Sequence, residues 1–86
     1  MIDYDNICED NIIGNIYNIN ILYLLQKRKL SDNILFKLIK YTSLKNILKT
    51  QKHLSINSIN KLLNSEFLTT EESYITLEEA LKYKNY

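Results

Sequence analysis

The side chains able to do acid–base, nucleophilic or metal chemistry are few in this sequence and stand far apart. His53 is the single histidine and Cys8 the single cysteine in 86 residues. Neither has the second His or Cys that a metal site or an activated nucleophile requires nearby. His53 sits between Lys52 and Leu54 in a polar break between two apolar stretches and is expected as an exposed turn residue. Cys8 has no neighbouring His or base to activate it as a nucleophile, so an inert, half-buried thiol is expected; as the only cysteine it can close no internal disulfide. The pairs Glu71/Glu72 and Glu78/Glu79 offer two carboxylates each. Each pair falls in a candidate first helical turn, where negative charge offsets the helix dipole, and capping explains it without acid–base work. Gly14 is the lone glycine, which excludes a Gly-rich phosphate loop. The residue set points away from an enzyme, and no cofactor, metal or small-molecule substrate is expected.

Charge is more informative than reactive groups. The formal net charge is +1, yet the charges are segregated along the chain. Residues 1–20 carry Asp3, Asp5, Glu9 and Asp10 and no base, a net of −4. Residues 26–61 carry nine Lys and Arg against Asp32 alone, a net of +8, and residues 66–86 return to −3. A basic middle between acidic ends can attract phosphates, or it can be a set of solvated helix faces partly neutralised by those ends.

Length and composition set the scaffold. A chain of 86 residues with 45% hydrophobic and 24% charged content supports one folded domain, 1–86, with no room for a second. Ile, Leu, Asn, Lys and Tyr dominate while Val, Pro and Trp are absent, a bias that suggests an AT-rich coding source such as a phage, plasmid or virus. The acidic start is unlike a secretory signal, and the longest apolar stretch, 16–25, is interrupted by Asn18 and Asn20 and too short to span a bilayer. A cytoplasmic or host-cytoplasmic location, with no membrane partner, is expected.

Apolar spacing predicts an all-α domain, a bundle of four to five short helices. Residues 1–10 show no sustained period and are expected as a flexible lead-in. From Asn11, Ile12, Ile16, Ile19 and Tyr23 make a helical stripe that Ile13, Tyr17, Ile21 and Leu24 widen, with a break near Gly14. Tyr17 to Ile21 also alternate at period two, but no second strand exists to pair with them. Ser31 or Asp32 can cap a helix with Ile34, Leu35, Leu38, Ile39 and Tyr41 on its inner face. Continuing that phase would turn Lys45 and Asn46 inward, so the helix must break near Thr42 and Ser43 and restart with Leu44, Ile47 and Leu48. Ser55 caps a helix with Ile56, Ile59, Leu62 and Leu63, and Thr69/Glu72 and Thr76/Glu79 have capping-box spacing. Tyr17, Tyr23 and Tyr41 are expected in the core or a subunit contact, and Tyr74, Tyr83 and Tyr86 in a cluster packing the last helix or anchoring a partner.

The stretch 44–65 has the layout of two short helices across a tight turn, with the second capped by Ser55. Leu54, Ser55, Ile59, Leu62 and Asn64 fall where phage-repressor-type helix-turn-helix proteins carry an apolar residue, a Ser, two aliphatics and a closing Asn, and the stretch resembles that family's recognition helix. It departs from the family at Lys49, where a small Ala lets the helices approach, at His53 in place of the turn glycine, and at Ser65 in place of the closing glycine. The resemblance implies nucleic-acid binding with the second helix in the major groove. Lys45, Lys49 and Lys52 would then contact phosphates, and Asn57, Ser58, Asn60 and Lys61 would face bases, since Asn pairs with adenine and Lys with guanine or phosphate. The alternative is a protein-binding inhibitor or adaptor acting through protein contacts. The apolar surplus of 13 Ile and 14 Leu also favours a homodimer or partner interface.

Overall fold

The computed structural model describes residues 3–84, which form an all-α domain. Six α-helices run in order: α1 (Glu9–Gly14), α2 (Ile21–Lys27), α3 (Asp32–Leu38), α4 (Leu44–Thr50), α5 (Ile56–Leu63) and α6 (Leu77–Lys84). Single 3₁₀ turns at Ile16–Asn18 and Glu72–Tyr74 complete the chain, and the described residues contain no strand.

Side-chain caps set several helix starts. The hydroxyl of Ser43 accepts the Asn46 N–H at 3.1 Å, and that of Ser55 accepts the Ser58 N–H at 3.2 Å. Thr76 does the same for Glu79 at 3.2 Å. Thr69 and Glu72 form a reciprocal capping box, at 3.2 and 3.1 Å, but it opens only the second 3₁₀ turn. At α3 the expectation fails in detail: Ser31 occupies the cap position without bonding the helix, because its hydroxyl is committed to Glu9.

The stripe from Ile12 to Tyr23 is not one helix. α1 stops at Gly14, and α2 starts afresh after Asn20, whose side chain accepts the Tyr23 N–H at 3.1 Å. Ile12, Ile16, Ile19 and Leu24 remain buried, but the interrupted phase leaves Tyr17 93% and Tyr23 42% exposed; Tyr41, in the turn after α3, is 36% exposed. These three tyrosines are therefore surface residues rather than core. Tyr23 instead meets the ring of Tyr4 edge-on at 4.9 Å, and the Tyr4 hydroxyl accepts the Asn20 N–H at 3.0 Å. The Arg28 guanidinium donates to the Ile7 carbonyl at 2.6 Å, so the stretch from Tyr4 to Ile7 is joined to the body. Cys8 is exposed, not half-buried.

α4 packs mainly on α6 and α2, α5 on α6 and α3, and α3 also on α1. Leu24, Leu35, Leu38, Leu44, Ile47, Leu48, Ile59 and Leu62 are fully buried between these layers. Each such side chain is worth about 1.5–3 kcal/mol of transfer free energy, against roughly 1 kcal/mol for a cap. Packing therefore decides that these short helices form, and caps decide where they begin.

One polar side chain lies wholly within this core. Gln51, just past α4, is 0% exposed. Its Oε1 accepts the Leu30 N–H at 2.8 Å, and its Nε2 donates to the carbonyls of Leu25 at 2.8 Å and Arg28 at 2.9 Å. Gln51 thus completes the C-terminus of α2, whose last carbonyls lack helical donors, and ties it to the end of α4.

Candidate nucleic-acid interface

The candidate interface is built on α4, the turn 51–55 and α5. Lys45 and Lys49 are exposed, one helical turn apart on α4, and Lys52 is exposed in the turn that follows. On α5, Ile59 and Leu62 point into the core while Asn57, Asn60 and Lys61 are exposed. Asn64 prolongs that outer stripe, its amide donating to the Asn60 carbonyl at 2.8 Å.

Ser58 departs from the expected outward set. It is 5% exposed, because at helical spacing it falls beside Leu62 on the inner face. Its hydroxyl donates to the Asp32 carboxylate and lies 3.1 Å from the Ser55 hydroxyl. Ser58 therefore joins α5 to the first turn of α3 and does not face a ligand.

The turn between the helices is held by contacts that local sequence does not announce. Gln51 anchors its start. His53 is exposed, as expected, with Nε2 3.1 Å from the Leu30 carbonyl. Lys84, assigned by position to the acidic tail, donates from Nζ to the Leu54 carbonyl at 2.7 Å. It brings a further positive charge from the end of α6 to the turn that follows Lys52. Its only local signal is a base in the last turn of a helix, which the dipole alone explains. Lys49, where a helix-turn-helix has a small residue, is exposed, and α6 supplies much of the packing for both α4 and α5.

The acidic ends do fold onto the basic middle, at particular atoms. Glu72 accepts the N–H of Leu44, the first residue of α4, at 2.6 Å, placing a carboxylate at the positive end of that helix. Glu9 accepts both the N–H and the hydroxyl of Ser31. Burial works to raise the Glu9 pKa, but the two Ser31 hydrogen bonds and the nearby Arg28 charge outweigh it and hold the carboxyl below its ordinary range. Asp3 is likewise lowered, by hydrogen bonds from the Asn6 side chain and the Asp5 and Asn6 amides.

A second surface was not legible in the sequence. Phe67 is 46% exposed and shares a shallow groove with Phe36 and Tyr41. Lys40 stands 5.8 Å from the Tyr41 ring centre and 5.5 Å from that of Phe67. Lys61 stands 5.9 Å from Phe36, and Lys45 5.5 Å from Tyr83. Of the expected C-terminal tyrosine cluster, Tyr74 is 79% exposed and Tyr83 partly buried, while Tyr86 lies outside the described residues.

Compared with known proteins, the chain matches no family model, no curated protein and no solved structure. Among the described residues no helix is long and apolar enough to cross a membrane, and no group of three His, Cys, Asp or Glu could hold a metal ion.

Proposed function

We propose that the protein is a small, non-enzymatic regulatory protein that binds nucleic acid, acting in the cytoplasm of its own or a host cell. The observation that carries this reading is the outer face of α5, where Asn57, Asn60, Lys61 and Asn64 form one exposed stripe without a carboxylate. In this reading Lys45, Lys49 and Lys52 contact backbone phosphates. Asn57 and Asn60 pair with adenine edges in the major groove, and Lys61 takes guanine or phosphate. Ser58 takes no part in contact; its hydroxyl bonds the Asp32 carboxylate on α3.

The reading is tested by duplex binding as a function of salt, followed by fluorescence anisotropy. Four lysine–phosphate contacts give a slope of log affinity against log salt of about −3 to −4, and Lys49→Glu lowers its magnitude by about 1 while weakening binding to every duplex alike. A duplex that stays unbound at low salt removes the proposal.

A second reading, contact with a partner protein or a second copy of the chain, is favoured by the exposure of Tyr17, Leu22 and Tyr23. It predicts a complex that survives moderate salt and weakens on Leu22→Glu. A chain that sediments as a monomer and recovers no specific partner removes it.

A further inference from the structure

We propose that the groove over α3 is a stacking site for single-stranded nucleic acid, adjoining the outer face of α5 at Lys61. It encloses about 450 Å³ and is lined by aromatic rings and lysines, among them Phe36, Tyr41, Phe67, Lys37 and Lys40, with Asn33 on its wall. Among the described residues no carboxylate lines it. Glu66 lines the neighbouring hollow that Phe36 and Phe67 share with Lys61, and Glu71 and Glu72 line the adjoining one that Lys40, Tyr41 and Phe67 share with Lys45 and Tyr83.

Ring and cation occur together here. Lys40 lies within 6 Å of the Tyr41 and Phe67 ring centres, and Lys61 within 6 Å of Phe36. Each ammonium holds an aromatic face that water would otherwise cover. A nucleotide carries a π-face and an anion in fixed covalent relation, so it fits this pairing: the base takes the ring and the displaced lysine moves to the adjacent phosphate. A duplex cannot do this, because its bases already stack on one another. An acidic protein segment could satisfy the lysines, but it needs an aromatic residue beside each carboxylate to satisfy the rings as well, a pairing every nucleotide supplies.

The test compares three labelled ligands on the full chain: an oligothymidylate of about 12 nucleotides, an abasic deoxyribose-phosphate strand of equal length, and a duplex. The oligothymidylate is expected to bind about tenfold more tightly than the abasic strand, which carries the same charge without bases. Phe67→Ala is expected to remove that difference while leaving abasic and duplex binding unchanged. Phe67 lies in a loop and is nearly half exposed, so an unchanged helical circular dichroism spectrum is expected. Tyr41→Ala, on a second exposed ring, should repeat the effect. Equal affinity for the thymidylate and abasic strands overturns the proposal, as does Phe67→Ala without effect. Binding of a Glu/Tyr copolymer that Phe67→Ala abolishes, with no binding of oligothymidylate, assigns the groove to an acidic protein segment and also overturns it. Loss of duplex binding alone removes the α5 reading and leaves this one standing; loss of the base-dependent difference alone does the reverse.

Discussion

Replacing Gln51 by Met keeps an unbranched side chain of similar length in the core but removes every hydrogen bond it makes. The Leu30 N–H and the Leu25 carbonyl are then left buried without their partner, and the Arg28 carbonyl, only partly buried, can turn to water. An unsatisfied buried group costs about 1–3 kcal/mol, so the two of them come to roughly 2–6 kcal/mol. The whole domain, at about 0.05–0.15 kcal/mol per residue, has only about 4–13 kcal/mol to lose. For a chain of this size 1 kcal/mol moves Tm by about 4–8 °C, so Gln51→Met should lower Tm by at least about 8 °C. Thermal unfolding followed by far-ultraviolet circular dichroism measures this, with Lys52→Ala, exposed in the next position, as a control expected to stay within about 0.5 kcal/mol. A drop of less than about 4 °C would refute the reasoning, because the three backbone groups would then be satisfied without Gln51. The consequence reaches the candidate interface, since Gln51 fixes the start of the turn that sets α5.

Further substitutions separate structural from contacting residues. Ser58→Ala leaves the Asp32 carboxylate short of a donor and should cost about 1–2 kcal/mol while leaving duplex affinity unchanged, whereas Asn57→Ala and Asn60→Ala should weaken duplex binding at little cost in stability. A Ser58→Ala protein of parental Tm and reduced duplex affinity would reverse the assignment. Because the folded-state pKa of Glu9 is depressed, its stabilising contribution is present above the ordinary glutamate range and is lost as pH falls through the lowered value. Glu9→Gln should therefore be less stable than the parent at neutral pH and converge on it in acid; a constant gap in Tm across that range would show that Glu9 titrates no differently on folding.

Much of the secondary structure was legible in one dimension. The break expected near Thr42 and Ser43, forced by Lys45 and Asn46, appears as a turn that begins earlier, after Leu38, and that Ser43 ends, and the Ser55 and Thr76 caps bond as their spacing implies. Tyr17 and Tyr23 left the core, one of the two places expected for them, for a local reason. Their stripe is continuous only if the helix is, and the chain breaks after Gly14 and restarts in a new phase at Asn20. Ser58 failed more narrowly: it is a polar residue on an inner face, and polarity argued for solvent while its angular position argued for burial.

In the candidate interface, the outward placement of Lys45, Lys49, Asn57, Asn60 and Lys61 was set by the sequence, because helical periodicity and the apolar positions fix which side of each helix faces out. What covers those inner faces was decided only by tertiary structure. α6 packs on both α4 and α5, Lys84 reaches the carbonyl of Leu54, and Glu72 reaches the amide of Leu44. The Phe36, Tyr41 and Phe67 groove likewise joins α3, the chain that leaves it and a loop beyond α5. Hydrophobic burial is non-directional and says only that a face must be covered. The polar contacts that fix which element covers it join residues more than twenty positions apart, and no local pattern encodes that separation.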